Sequence, residues 1–140
     1  MPISDDDAIR DLLELNRIAV VGCSSTPGKA AHEIPAYLQR QGYEIYPVNP
    51  FADEILGKEA VDSLAEIDGE IDLVDVFRPS EEVAGIVDDT LDRKEAEDDI
   101  EAVWLQLGIH DDAAVKKAED AGLTVVEDRC MKVEHQRLRE

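Results

Sequence analysis

The 140-residue chain is poor in bases: 14 Lys and Arg stand against 34 Asp and Glu, a formal net charge of −20 at pH 7. A surface of that sign repels nucleic-acid phosphates and argues against DNA or RNA as partners. Aromatic residues make up only 4%, so the core falls to Val, Ile, Leu and Ala. The two cysteines, Cys23 and Cys130, are too few for a disulfide framework and have no CxxC spacing. They suit a reduced, cytoplasmic setting. No apolar run approaches the roughly 20 residues of a membrane helix, which argues against a membrane partner. The acidic start MPISDDDAIR has no signal-peptide core. Internal repeats and low-complexity linkers are also missing.

Hydrophobic residues nevertheless make up 44%, in periodic segments that a disordered acidic chain would not show. The acids are spread over loops and helix faces (DDD, DEI, EAEDDIE, HDDA), as in a solvated shell. That distribution suits a folded protein adapted to high salt, where the Debye length falls to about 3 Å and self-repulsion is screened. The length fits one domain over residues 1–140, with residues 1–16 forming a helix packed on it.

Ser4 is placed to cap this first helix, with Asp5 to Asp7 at its positive end and Ile9, Leu12 and Leu13 on one stripe. Ile18 to Val21 reads as a strand buried on both faces. The next helix carries Ile34, Tyr37 and Leu38 inward and ends near Gly42. Because proline is best tolerated in a first turn, Pro35 predicts a start near Ala31 or His32. Further strands are expected at Tyr43–Val48, Ile71–Phe77, Ala102–Leu107 and Leu123–Val126. A short strand near Glu59–Val61 and a short helix fill the stretch after the second strand. Ser80 and Asp111 are placed to cap helices, the latter running to Ala121, and Met131–Leu138 forms a last helix. Such alternation predicts an α/β fold: one Rossmann-like, doubly wound parallel sheet of about five strands with helices on both faces.

In such sheets ligands sit beyond the carboxyl ends of the strands, at the switch point. The stretch IAVVGCSSTPGK, Ile18 to Lys29, runs a strand into that place. Gly22 allows a sharp turn, Ser24, Ser25 and Thr26 offer hydroxyls and N–H groups, and Lys29 adds a positive charge. An ordinary turn-rich connection has a similar composition. The dinucleotide fingerprint GxGxxG is broken, because Ser24 replaces its second glycine and Gly28 comes one residue late. The second strand ends Val48-Asn49-Pro50 with no carboxylate for a ribose, so NAD is disfavoured. A Walker loop is also absent, since Ala30 follows Lys29. Asn49 offers an amide to a base or ribose. Phe77 and Arg78 close one strand, and Trp104, Gln106 and Gly108 lie at the end of the next. For Phe77 and Trp104, core packing is the commoner role. Arg78 needs an anion or a carboxylate.

Four blocks, VVGCSSTPGKAAHEIPAYLQRQGYEIYPVNP, DLVDVFRPSEEV, VWLQLGI and AGLTVVEDRCMKVEH, resemble the stand-alone CoA-binding domain family in order and spacing. That family is related to the CoA-binding domain of the succinyl-CoA synthetase α subunit, and the resemblance covers about Arg17 to Leu138. It implies coenzyme A, or an acyl-CoA, in a groove across the strand ends. By position, Gly22, Ser24, Ser25 and Lys29 would hold the ADP phosphates. Val48, Asn49 and Pro50 would flank the adenosine, Phe77 and Arg78 the next section, and Gln106, Leu107 and Gly108 the pantetheine arm. Arg40 or Lys58 would meet a 3′-phosphate. The synthetase's phosphohistidine domain and nucleotide-binding partner have no counterpart here, and His32, His110 and His135 lie at a helix start, a loop and a last helix. Ligase activity from this chain alone is therefore not expected.

Other candidates have plain readings beside sharper ones. Cys23 and Cys130 fall near the carboxyl edge, where the sharper reading is a mixed disulfide with a ligand thiol and the commoner one is two small buried thiols. Asp72 and Asp75 interrupt a buried strand; a strand-end residue meeting solvent or Arg78 is the favoured reading for either, ahead of a catalytic carboxylate. Asp128 and Arg129 read as a salt bridge, and no cluster has metal-ligand spacing. The reading is a non-catalytic or regulatory module for coenzyme A. Its alternatives are an NAD(P)-binding oxidoreductase or redox sensor, and the CoA-site subunit of a separately encoded acyl-CoA synthetase. A protein partner or homo-oligomer is left open.

Overall fold

A computed structural model describes residues 2–138. In chain order the elements are α1 (Asp6–Leu13), β1 (Arg17–Val21), α2 (Ala30–Arg40), β2 (Glu44–Val48) and a hairpin of β3 (Glu54–Ile55) and β4 (Lys58–Glu59). A 3₁₀ turn (Leu64–Glu66), β5 (Leu73–Val76) and a second 3₁₀ turn (Ser80–Glu82) lead into α3 (Val83–Glu97). The chain closes with β6 (Ala102–Leu105), α4 (Asp112–Asp120), β7 (Thr124–Val126) and α5 (Met131–Leu138).

The five long strands pair in parallel in the order β2-β1-β5-β6-β7. The order reverses between β1 and β5, which opens a crevice at their carboxyl ends. Side chains alternate across the sheet into two apolar layers. Ala19, Val74, Val76, Val103 and Leu105 join α3 and α4 through Val83, Ile86, Val87, Val115 and Ala118. Ile18, Val20, Leu73, Ala102 and Trp104 join α1, α2 and α5 through Ile9, Leu12, Ile34, Leu38 and Met131. Coverage on both sides explains why the strands read as unbroken apolar runs. Trp104 is fully buried and its indole N–H donates to the Arg129 carbonyl at 2.8 Å, so it serves the core. Among the described residues, no helix is long and apolar enough to cross a membrane.

Several expectations are corrected. Asp5, not Ser4, caps α1: its carboxylate accepts the Ala8 N–H at 3.1 Å from an extended backbone. Ser80 does not cap α3 but heads the 3₁₀ turn before it, and its hydroxyl accepts the His110 N–H at 3.1 Å. Asp111 does cap α4, accepting from Ala114. Helix α2 starts at Ala30, earlier than Pro35 suggested, with the proline inside it. Proline cannot donate to the carbonyl four residues back, and here that carbonyl, on Ala31, accepts the Ser24 N–H at 2.9 Å instead. The hydrogen bond missing from the helix thus ties down the preceding loop.

Pro47 is accommodated because β2 is an edge strand, and Val48 bridges Val61 on its outer side. The stretch between the 3₁₀ turn and β5 is held from α3 by Arg93. Its buried guanidinium donates to the carbonyls of Leu64, Ile67 and Gly69 at 2.7–2.8 Å and pairs with Asp99 at 3.0 Å.

Candidate functional site

The loop after β1 turns at Gly22, whose φ of +86° is a conformation that side chains rarely adopt. Its N–H donates to the Val48 carbonyl at 3.0 Å. A Cβ there would lie 2.7 Å from Cδ and 3.1 Å from Cγ of Arg78, so the arginine stem crosses the loop in the space a side chain would fill. The rest of the loop is bonded to itself and to α2. The Ser24 hydroxyl accepts the Thr26 N–H at 3.0 Å, and His32 Nδ1 lies 2.8 Å from the Ser24 carbonyl. The Gly28 N–H donates to Glu33 at 3.1 Å. At the front of α2, Lys29 is the N-cap residue and supplies no side-chain cap. Helix N-termini carry N–H groups without intrahelical acceptors and a partial positive charge, which suits an anion.

The loop leaving β2 is locked against this one. Asn49 donates its amide to the Cys23 carbonyl at 2.9 Å and accepts the Phe51 N–H at 2.8 Å. Its side chain therefore sets the loop geometry, where the sequence suggested an amide free to meet a ligand.

A cavity of about 580 Å³ opens between these loops, the end of β5 and the start of α3. It brings together Gly22, Ser24, Lys29, Val48, Asn49, Pro50, Phe77 and Arg78 from the expected set. Ser25 is exposed on the loop and is not part of the lining. The β6 exit also lies outside it. Gln106 is buried and donates to Asp75 at 2.6 Å, Leu107 is exposed, and the Gly108 N–H donates to Asp128 at 2.6 Å. Arg40 and Lys58 do not reach the cavity, and Lys58 pairs with Glu44 at 3.2 Å.

The lining also includes Cys23, which the sequence placed near this edge, and Phe51, Asp62, Leu64, Glu82, Ile86 and Asp89, to which no sequence motif points. Phe51 stands 95% exposed at the rim, an aromatic face that burial does not explain. Glu82 was legible four residues after Arg78. It takes the arginine fork with both oxygens, at 3.0 Å and 2.7 Å. This bond raises the Arg78 pKa and lowers that of Glu82. Both partners are about half exposed, so solvent screens the pair and it adds little to stability. Asp89 is pushed upward, first by burial and then by Asp92 and Asp88.

Beneath the loop lies a buried polar group. Asp75 is fully buried in β5, one oxygen bonded to Gln106 and the other without a partner. Burial pushes its pKa up to about 7. Cys23 is pushed up to about 12 by burial and then by the Asp75 charge, so its sulfur stays a protonated thiol and a poor nucleophile. Asp72 meets Arg17, at 3.2 Å, rather than Arg78 or open solvent. Arg129 pairs with Glu134 at 3.0 Å rather than with Asp128. Among the described residues, no group of three or more His, Cys, Asp or Glu could hold a metal ion. The cavity therefore offers a turn of backbone, a helix N-terminus and two cations to an anion, with apolar and aromatic surface beside them.

A family model described as a CoA binding domain matches residues 16–136. The Bacillus subtilis protein YneT, itself uncharacterized, is 44% identical over 128 residues, which is 91% of each chain. A solved structure of a hypothetical protein from Pyrococcus horikoshii superposes with a TM-score of 0.90 at 35% identity, covering 99% of this chain and 96% of that one. An ADP-forming acetate–CoA ligase II of Archaeoglobus fulgidus is 36% identical over 81 residues, 56% of this chain and 12% of the ligase.

Proposed function

This chain belongs to the CoA binding domain family, and from that premise we propose that it binds coenzyme A or a short acyl-CoA as a non-catalytic or regulatory module. The observation that carries the proposal is the cavity of about 580 Å³ at the sheet's switch point. It gathers the Gly22 turn, the uncapped start of α2, Lys29 and Arg78 around one space. In this reading the diphosphate lies against the α2 N-terminus and Lys29, and Arg78 turns part of its fork from Glu82 to the phosphate. Ser24 and Ser25 border the same phosphates. The adenosine lies along Val48, Asn49 and Pro50, with the Phe51 ring available for stacking. The pantetheine arm leaves past Phe77 toward Gln106, Leu107 and Gly108, outside the cavity.

The residues fit such a ligand better than NAD(P). The end of β2 presents Asn49, whose amide is spent on the Cys23 carbonyl and the Phe51 N–H, where a dinucleotide site would present a carboxylate. Similarity to a segment of an ADP-forming acetate–CoA ligase supports a second reading, a CoA-site subunit for a separately encoded synthetase. Co-purification of ligase subunits from the source cells would favour it. The proposal also places the protein in a cytoplasm of high ionic strength, on the strength of its charge of −20. Calorimetry in molar KCl with CoA, acetyl-CoA, NAD and NADP tests the function. Saturable heat with CoA or acetyl-CoA is expected, and binding of NAD without binding of CoA would overturn it.

A further inference from the structure

Charge is distributed unevenly around the cavity. Its two cations, Lys29 and Arg78, come from the first loop and the end of β5, and the Arg78 fork is already bridged by Glu82. The same lining carries the carboxylates of Asp62, Glu82 and Asp89. The α2 N-terminus adds partial positive charge only on the loop side. That half of the cavity can neutralise one diphosphate. Among the described residues, the lining holds no further cation for a dianionic phosphate on the same ligand. Arg40 and Lys58 are outside the lining, and Lys58 is paired with Glu44 at 3.2 Å. Around the site, the chain's net charge of −20 adds repulsion.

Resting on the CoA reading, we propose that the site recognises the adenosine diphosphate portion of its ligand and does not read the 3′-phosphate. That group is left to solvent beside the acidic wall. The ligand class is then wider than CoA: nucleotide diphosphates esterified to a pantetheine-like arm, with or without the 3′-phosphate.

Parallel titrations with CoA and with 3′-dephospho-CoA test this, in low and in molar KCl. The two should bind within about threefold of each other, or dephospho-CoA more tightly. Any advantage of dephospho-CoA should shrink as salt screens the wall. The Asp62→Asn and Asp89→Asn variants, changed at exposed positions, should gain affinity for CoA more than for dephospho-CoA. A preference for CoA above about threefold in the parent protein would overturn the inference, since one charge-assisted contact is worth about tenfold or more. Failure of both ligands to bind would overturn the CoA reading itself, and this inference with it.

Discussion

Asp75 shows how much one side chain can cost. It lies in register with Val20 and Trp104 on the neighbouring strands, fully buried, with Gln106 donating to one oxygen and nothing to the other. Its folded pKa of about 7 lies above the ordinary carboxyl value. Between about pH 4 and 7 the native state holds more protons at this site than the unfolded chain. The Asp75 contribution to stability therefore falls as pH rises through that window and levels off above it. The Asp75→Asn variant should remove this slope. Compared with the parent by denaturant unfolding, it should be more stable at pH 8 by a few kcal/mol, roughly 4 at the upper bound, and no more stable at pH 4. A variant less stable at pH 8 would show that the ionised carboxylate is needed. At the rim, Lys29→Ala and Arg78→Ala should each weaken CoA binding by about 1.5–3 kcal/mol. Arg78→Ala should have the larger effect because it also frees the Glu82 carboxylate in the cavity. Calorimetry that finds unchanged affinity in both would remove these residues from the site.

At the scale of elements, the alternation of strands and helices was legible because each buried strand is a run of apolar residues between clear stops. The failures are local and have physical causes. The β3–β4 hairpin turns through Leu56 and Gly57, both at positive φ, where a two-residue turn usually carries Asn or Asp before its glycine. A leucine there hides the turn, and only part of the β4 side was recognisable. Pro35 misled because its missing donor is compensated from outside the helix, by the Ser24 N–H on the Ala31 carbonyl. The loop side of the site was readable from local motifs. The acidic wall was not, because Asp62, Glu82 and Asp89 meet only through the packing of the 3₁₀ segment against α3. Arg93 holds that packing, through carbonyls that no sequence spacing links to it. Arg93→Ala would leave Asp99 buried and unpaired, and should destabilise the fold by about 3–5 kcal/mol in urea unfolding. A loss below about 1 kcal/mol would mean that the wall is held by other contacts.

For the whole molecule, the net charge of −20 sets the conditions under which the fold and the site operate. Its surface ion pairs, such as Lys116–Asp120 and Arg10–Asp7, cannot offset such an excess of acid. Screening should therefore stabilise the native state. The thermal midpoint should rise by several degrees between 0.1 M and 1 M KCl, as the Debye length falls from about 10 Å to 3 Å. A midpoint that falls over that range would contradict a repulsion-limited fold. The same field opposes an anionic ligand, so CoA affinity measured in dilute buffer should understate that in salt.

In the proposed function, a CoA-type ligand is held at the switch point by the Gly22–Lys29 loop. The most direct measurement follows backbone amide shifts in a ¹H–¹⁵N spectrum as CoA is added in molar KCl. Saturable shifts are expected at the non-proline residues of Gly22 to Ala31, at Asn49 and Phe51, and at Phe77 and Arg78. Saturable shifts elsewhere with this loop unmoved, or no shifts at all, would contradict it.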